Sequence, residues 1–600
     1  MYLPRINNIK TTREGATEFR GYNHTYNVNS REFYDMQNMS GRNYPALSPR
    51  VQRFSHDAPD GRCYLGIHAH DKLCWVCKET LAGATEEGCY LYYDGGIVGV
   101  DENNTPKLTL SDTEKRFVNM GARILIWPDK IYYNTSDGTF GKLENTVTTS
   151  GSIALQLCKV DATDYQDYTT SDTAPSDPTD GQLWMNTSVT PHVLSQYSVL
   201  YLTWQSIPTT YIKLSMAGIG KGFKAYDAVT ISGAANAALN GDFILYGVTD
   251  DYIVITGTLD QTTTETAAVT ISRKVPDLDF ITEQGNRIWG CSSDSHEIYA
   301  CKLGDPTNWY YYTDQSTASY SATVGSPGDF TGCYAHMGYV LFFKENEILT
   351  LRGTKPSNYQ LDSAKCRGIE KGSEKSIALV NETLYYKSAY DICAYGASQP
   401  SPISDALGNK HYKNAVAGAL GSVYYICMED DDRNYVLFTY DDKRGLWHKQ
   451  DCSKIIGFAA AEQELWFLKW TGFNWNRSRY TLENVSGTPG YTNTSSAVEP
   501  PVEWFAETGD IGNSIPNNKY ISKLQFRMEV PEGSMVKIEL QYDSDGHWVE
   551  KYRMNATRKR SFTVPVVPRR CDHMKVRISG TGDCKIYSFV RTTEEGSEIC

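Results

Sequence analysis

Few residues of this chain have both the types and the spacing that chemistry requires. Cys74 and Cys77 form the one Cys-x-x-Cys pair, a spacing used for zinc binding and for thiol–disulfide exchange. In a β-strand these two thiols fall on opposite faces, and no second pair completes a zinc site. The chain has fifteen cysteines scattered singly, an odd number without framework spacing. The pattern favours reduced thiols that pack as small hydrophobic side chains.

Acidic and histidine clusters also favour structural roles. The run Glu429–Asp432 could offer oxygen ligands to Ca²⁺, but it lacks the alternating DxDxDG pattern and follows a strand. It is more typical of a solvated hairpin tip. His68 and His70 share a strand face, which is more typical of packing than of ligation. We therefore predict no metal site and no cofactor.

Two stretches approach the sialidase Asp box, Ser-x-Asp-x-Gly-x-Thr-Trp. They are TSDGTF at 135–140 and DSDGHW at 543–548, and in each the Asp and Gly are adjacent, which describes a tight hairpin turn. Paired catalytic carboxylates lie roughly 5 to 10 Å apart in space and cannot be assigned from sequence spacing. GxSxG, P-loop and HExxH motifs are missing from the sequence. We predict no catalytic residues and no enzymatic activity, with a glycosidase as an alternative that stays open.

Composition indicates folded β-structure and limits the partners. The chain has 600 residues, 40% hydrophobic and 22% charged, and 42 tyrosines suit half-buried pleated surfaces. A net charge of −13 argues against affinity for nucleic acid, although it suits a wall past which DNA slides. The start, MYLPRINNIKTTREG, lacks a signal-like apolar core, and no run of about eighteen apolar residues occurs. We expect synthesis in the cytosol and no membrane span.

A hairpin repeat accounts for much of the chain. A short strand, a polar turn and a second strand with an aliphatic residue before aromatics recur seven times, at 67–76, 125–134, 280–291, 334–343, 378–387, 417–426 and 458–468. The aliphatic anchors are Leu73, Ile131, Ile288, Val340, Leu384, Val423 and Leu465, at steps of 58, 157, 52, 44, 39 and 42 residues. Four-stranded propeller blades occupy about 40 to 50 residues each. The repeat predicts a β-propeller of six to eight blades, and unrelated hairpins in a sandwich or solenoid are the alternative.

Two further regions interrupt or follow the repeat. The 157-residue step leaves room for an inserted small β-domain, or two, after the polar linker at 164–181. From about residue 497 regular short strands without helix predict a β-sandwich. We predict an all-β chain with an extended arm (1–60), first blades (61–150), the insertion (151–275), further blades (276–496) and the sandwich (497–600).

The segment REFYDMQNMSGRNYPALSPR, at 31–50, is rich in apolar side chains but has neither helical nor strand periodicity. Pro45 and Pro49 favour extended backbone. Such an arm needs a surface to pack on, either its own propeller or a neighbouring subunit. The candidate interface residues are Phe33, Tyr34, Met36, Met39, Tyr44 and Leu47.

Several motifs together resemble tail proteins of tailed bacteriophages, in particular the propeller-bearing nozzle or hub proteins of short-tailed phages. They are Asn38-Met39 and the Pro45-to-Arg50 element of the arm, GDPTNW at 304–309, LFFKENEILTLRG at 341–353 and KSIALVNETLYYKSAYDICAYG at 375–396. The block from 503 to 593 is similar to terminal β-sandwiches of tail proteins in phages of Gram-positive bacteria. These motifs are structural and contain no catalytic signature.

The resemblance implies a virion protein that forms a ring with copies of itself, often sixfold. The ring would contact neighbouring tail, adaptor or fibre proteins, and DNA would leave through it without specific binding. The alternative is a receptor- or carbohydrate-binding tail-tip protein. For that role the candidate ligand-binding residues are Trp548 and Tyr552 of the terminal sandwich, which would contact a host surface glycan.

Overall fold

Strands make up nearly all of the regular structure in the computed structural model, which describes residues 11–58, 60–81, 85–101, 105–396, 398–474, 477–491, 496–512, 519–566 and 569–595. Within these ranges no α-helix occurs, and the helical turns are four 3₁₀ segments: Ala237–Leu239, Pro356–Asn358, Glu374–Ser376 and Asp405–Leu407. None of the described helices could cross a membrane.

Seven sheets of the described chain follow the predicted repeat, and we name them blades 1 to 7 in chain order. Their strands are Cys63–Ala69, Leu73–Glu79, Gly88–Tyr93 and Gly96–Ile97 (blade 1); Arg116–Met120, Arg123–Trp127, Ile131–Asn134 and Phe140–Lys142 (blade 2); Phe280–Glu283, Ile288–Ser292, Glu297–Ala300 and Tyr320–Thr323 (blade 3); Gly332–His336, Tyr339–Lys344, Glu347–Arg352 and Gln360–Ala364 (blade 4); Ala378–Val380, Thr383–Lys387, Ile392–Tyr395 and Ser401–Pro402 (blade 5); Tyr412–Leu420, Val423–Asp430, Tyr435–Asp441 and Leu446–Lys449 (blade 6); Ile455–Ala461, Glu464–Asn474, Arg477–Asn484 and Ala497–Val498 (blade 7).

Each predicted aliphatic anchor lies in a different blade. Six of the seven are in the second strand of their sheet, as the repeat requires. Ile131 is in the third strand of blade 2, because the turn before it joins the second and third strands. The second strand of that blade is Arg123–Trp127. The sequence pattern therefore marks the third strand of blade 2 instead of the second.

Blade 7 is completed by a strand from the other end of the sequence. Phe54–Ser55 of the arm pairs antiparallel with Arg477–Asn484 on one side and with Ala497–Val498 on the other. Blade 7 therefore has five strands, one of which the arm supplies. This pairing ties the arm to blade 7 by backbone hydrogen bonds.

The chain divides into two compact units. Unit 1 contains Met1–Lys115, Phe342–Leu349 and Ser363–Cys600, and unit 2 contains Arg116–Leu341 and Thr350–Asp362. Within unit 1 the side chains of blades 7 and 1 share one apolar cluster around Trp75 and Trp466. Within unit 2 blades 2 and 3 share another around Trp127 and Trp309.

The insertion belongs to unit 2 and has two sheets around one core. In spatial order they are Asn145–Thr148, Thr270–Arg273, Ala228–Ser232 and Gly241–Ile244, and Gly247–Thr249, Tyr252–Thr256, Tyr211–Ser215, Ile153–Cys158 and Thr263–Glu265. A third, smaller sheet contains Thr169–Ser171, Leu183–Asn186, Val193–Ser198 and Thr203–Ser206.

One strand of 24 residues, Lys519–Tyr542, organises the terminal sandwich. Its first half pairs with Lys585–Glu595 and its second half with Met574–Thr581. Val549–Val564 follows it along its other edge, and Glu503–Thr508 extends the second layer beyond Met574–Thr581. The short strand Arg570–Cys571 pairs with the beginning of the long strand.

Both halves of the long strand bury alternate side chains in one core. Phe526 and Met528 of the first half and Ile538 and Leu540 of the second half belong to the same apolar cluster. A pleated strand that serves both layers of a sandwich must bend between them, and the pairing shifts register between Val530 and Met535. The predicted all-β fold, a propeller with an inserted β-domain and a C-terminal sandwich, is confirmed.

Candidate functional site: the buried junction of the arm

The N-terminal arm lies on the terminal sandwich of its own chain. Thr11–Ala16 adds an antiparallel strand beside Lys585–Glu595, and Phe33–Gln37 adds one beside Glu503–Thr508. The two arm strands thus cover one edge of each sandwich layer. Covering an edge removes a row of unpaired amides and carbonyls that would otherwise pair with another chain.

Four of the six candidate interface residues are buried by the chain itself. Phe33, Met36, Met39 and Leu47 are at most 2% exposed and belong to the core that the sandwich shares with blades 5 and 6. The surface that covers them is therefore intramolecular, and no second subunit is needed to bury them. Their role in a subunit interface remains a prediction.

The two tyrosines of that set are half-buried and engaged at the surface of the arm. The Tyr34 ring stacks on His24 at 4.3 Å, with the Lys575 ammonium 4.8 Å from its centroid. The Tyr44 hydroxyl donates a hydrogen bond to Glu18, and the Arg444 guanidinium lies over its ring at 4.7 Å. Because both rings keep exposed area, they can still contact another molecule.

The arm turns at Asn38, whose backbone has a φ of 55°. Its side-chain amide donates to the Glu503 carbonyl at 2.8 Å and accepts from Arg50 Nε at 2.8 Å. Its backbone N–H donates to the Gln450 carbonyl at 2.6 Å. Asparagine tolerates positive φ better than most residues. One side chain therefore links the arm to the sandwich while the backbone links it to blade 6.

Arg50 and Arg53 carry the ionic part of this junction. Arg50 donates two parallel hydrogen bonds to the Glu499 carboxylate, at 2.6 and 2.8 Å. Arg53 donates to Asp451 at 2.5 Å and to the Gln450 side chain at 3.0 Å. Both arginine side chains are nearly inaccessible, at 6% and 2% exposed. Two-pronged pairing of a planar guanidinium fixes geometry as well as charge.

The electrostatics of the junction favour the ionised forms. Burial alone would raise the pKa of Asp451, but Arg53 and Arg50 lower that pKa to about 2. Burial likewise opposes ionisation of Glu499, and the bonds from Arg50 outweigh it and lower its pKa. Burial would lower the pKa of Arg53, whereas the three surrounding carboxylates raise it. The buried charges thus compensate one another.

The sequence revealed only part of this site. Asn38, Met39 and Arg50 belong to the motifs that carry the resemblance, and in the structure Asn38 and Arg50 bond within the junction while Met39 is buried beside it. Asp451 and Glu499 were missed, because they lie 398 and 449 positions from the arginines they bind. The pairing of Phe54–Ser55 with blade 7 brings these arginines and carboxylates together.

The candidate glycan residues of the sandwich are engaged by their neighbours. The Arg577 guanidinium lies 4.0 Å from the centroid of the Trp548 ring, and Tyr552 stacks on Phe562 at 4.8 Å. One face of each ring is therefore occupied within the chain. Their glycan-binding role remains a prediction.

The other residues whose types could support metal binding or catalysis make structural contacts. Cys74 and Cys77 are fully buried in blade 1, and burial raises the pKa of both thiols. Asp137 accepts two hydrogen bonds from Thr139 within a turn. Glu429 accepts from Asn414 and Tyr435 at 2.9 Å each. Across the described ranges no group of three or more His, Cys, Asp or Glu side chains could hold a metal ion.

Comparison with known proteins gives similarity at the level of solved structures only. No protein-family model and no curated protein sequence matches the chain. The solved structures that match include an exo-β-1,3-galactanase from Phanerochaete chrysosporium (9% identity, TM-score 0.22, 52% of this chain and 95% of that one) and the endosialidase of phage phi92 (9%, 0.23, 77% and 73%). A sialidase from Trypanosoma rangeli matches at 8% identity, with a TM-score of 0.25 and coverage of 97% and 96%.

The matched structures correct one expectation from the sequence. We expected no enzymatic activity, yet the galactanase, the endosialidase and the sialidase are glycoside-cleaving enzymes by name. The expectation is therefore withdrawn. Identities of 8 to 9% and these TM-scores do not, in turn, assign an activity or a substrate to this chain.

The junction predicts a large loss of stability when one buried charge is removed. Asp451→Asn leaves Arg53 without its carboxylate, and breaking a buried pair on one side costs roughly 3 to 5 kcal/mol. Calorimetric unfolding of the full chain measures the loss. The matched control is Glu550→Gln, which breaks the exposed pair with Arg553 and should change the unfolding temperature little. Equal effects of the two substitutions would refute the assigned role of the junction.

The lowered pKa of Asp451 also predicts a pH dependence. Because the folded pKa is about 2 and the ordinary value is about 4, the ion pair contributes fully above pH ~4 and is lost as pH falls towards ~2. The stability difference between the wild type and Asp451→Asn should shrink over that window. Denaturant unfolding at a series of pH values tests this, and a difference that stays constant down to pH ~2 would contradict it.

Proposed function

We propose that the chain is a structural component of the virion of a tailed bacteriophage, in a ring of the tail nozzle, hub or tip. The observation that supports this most directly is the arm. It pairs with both sandwich layers and with blade 7, so a single segment ties sandwich and blades into unit 1. The protein would be made in the host cytoplasm and assembled into the particle.

A tail ring must transmit force between neighbours without unfolding. Backbone pairing spreads such a load over several hydrogen bonds, and the Arg50–Glu499 and Arg53–Asp451 pairs fix the position of the arm between its strands. The same contact repeated around a closed rotation would form the ring. The net charge of −13 would let DNA pass without being retained.

An exposed apolar hairpin tip is one place where the chain could join a neighbour. Val199, Leu200, Tyr201 and Leu202 connect Val193–Ser198 to Thr203–Ser206 and are 51, 82, 65 and 76% exposed. Four consecutive large apolar residues in water are unfavourable unless another surface covers them. We assign this tip to a contact with a neighbouring copy.

The proposal predicts ring-shaped oligomers whose formation depends on the tip. The purified full chain should form closed particles of one size, visible by mass photometry and negative-stain electron microscopy. Leu200→Asp with Leu202→Asp should leave the unfolding temperature unchanged and shift the population to monomers, because each carboxylate would have to be buried in the contact.

The control for this double variant replaces an exposed leucine that lies outside the tip. Leu303→Asp changes a residue that is 40% exposed in the segment between the third and fourth strands of blade 3, and assembly should persist. Purified virions of the phage that encodes the chain should also contain it in a fixed ratio to other tail proteins. A strictly monomeric chain that is missing from the virions would refute the proposal.

A further inference from the structure

A cavity of about 690 Å³ lies in unit 2 between the insertion and the segment that follows the third strand of blade 3. Its volume is within the roughly 300 to 1,000 Å³ of ordinary ligand sites. One wall is the outer face of an inserted sheet, and the other is formed by tyrosines of the blade 3 segment. The two walls differ in chemistry, and that difference indicates the ligand.

The sheet wall is polar. Ser272, Thr230 and Asp242 occupy opposed positions on three adjacent strands and form a row across the sheet. The Thr230 hydroxyl donates to Asp242 at 2.7 Å, and Lys274 lies two positions beyond Ser272, directly after the end of that strand. Hydroxyls, a carboxylate and an ammonium in one wall can donate and accept several hydrogen bonds at once.

The facing wall is aromatic. Tyr310 and Tyr312 are in edge-to-face contact at 6.3 Å, and Tyr312 is 47% exposed. Phe243 and Tyr246 extend the apolar surface from the insertion. Burial raises the pKa of Tyr310 and of Tyr312, so both phenols stay protonated and able to donate hydrogen bonds. Such rings offer flat apolar faces with a polar tip.

A buried clamp holds the two walls at a fixed distance. Asn308 of the GDPTNW motif is fully buried, donates to the Tyr226 carbonyl at 2.7 Å and accepts from the Ala228 N–H at 3.3 Å. The Lys302 ammonium lies over the ring of Tyr311 at 4.3 Å, and Tyr311 packs on Ala228. The cavity is therefore formed before any ligand arrives, which lowers the entropic cost of binding.

The sheet wall is braced in the same way. Arg273, between Ser272 and Lys274, donates to the buried Asp227 carboxylate at 2.5 Å. Asp227 also accepts from the Lys224 N–H at 2.9 Å. The strands that carry the polar row are thus joined by a buried ion pair beneath the cavity.

From these walls we infer that the cavity binds an oligosaccharide of pyranose sugars. The C–H face of a pyranose packs on an aromatic ring, while its equatorial hydroxyls need alternating donors and acceptors, and the two walls supply these separately. A nucleotide or other polyanion fits poorly, because Lys274 is offset by Asp242 and no cluster of basic residues lines the described cavity. The inference goes beyond the tail role and does not depend on it.

Binding of the full chain to an array of neutral, N-acetylated, uronate-bearing and sialate-bearing oligosaccharides tests the inference. At least one class should bind saturably, and calorimetry with that oligosaccharide gives its Kd. Tyr312→Ala should raise the Kd about tenfold or more, because it removes the exposed stacking face. Thr230→Val with Asp242→Asn should raise it similarly while leaving the aromatic wall intact.

The matched control is Tyr390→Ala, an exposed tyrosine of blade 5 that lies neither in the apolar tip nor in the cavity lining. It should leave the Kd unchanged, and all variants should keep the wild-type unfolding temperature. Failure of every oligosaccharide class to bind, or binding that Tyr312→Ala and the double variant leave unaltered, would overturn the inference. Ring assembly of Tyr312→Ala, measured in parallel, separates this result from the proposed tail role.

Discussion

The fold of unit 1 depends on one constraint, which is that strand edges must be paired. Each sandwich layer has an edge for which the adjacent sequence supplies no strand, and in blade 7 Arg477–Asn484 needs a neighbour before Ala497–Val498. The arm supplies all three, with Thr11–Ala16, Phe33–Gln37 and Phe54–Ser55. Because the arm is covalently continuous, the sandwich cannot move away from blade 7 without breaking backbone hydrogen bonds. The same strand pairing therefore joins the sandwich to blade 7 and covers their strand edges.

Backbone pairing alone would specify the register of the arm strands only weakly. The buried charged side chains of the junction fix that register. A two-residue strand such as Phe54–Ser55 could slip, but Arg53 immediately before it has to meet Asp451 and Gln450. A slip by one residue would turn the guanidinium to the other face and leave Asp451 buried without its partner. Burying these ion pairs costs desolvation free energy. In return they select one register of the arm strand against blade 7. The Asn38 turn has the same effect at the other end of the segment.

Local pattern predicted much of the fold, and contacts distant in sequence account for what it missed. Hairpins such as 378–387 are specified by adjacent residues, so their existence and their approximate blade spacing could be recognised. In blade 2 the same pattern marked Ile131 instead of Arg123–Trp127, since two successive turns of one blade look alike. The arm appeared as apolar residues without periodicity because it changes partner every few residues. Asp451, Glu499 and the cavity tyrosines gave no spacing signal, since the fold alone brings them to their partners.

The polar groups of the two units are engaged in different ways. In unit 1 the charged groups of the junction pair with one another, so few of their hydrogen-bonding positions are open to a ligand. In unit 2 the row of Ser272, Thr230 and Asp242 faces a cavity, and its hydrogen-bonding capacity is only partly used within the protein. A buried amide, Asn308, rather than a flexible loop sets the width of that cavity. An insertion anchored in this way can change its outward residues without disturbing the blade that carries it, because the clamp involves mostly backbone groups of the insertion.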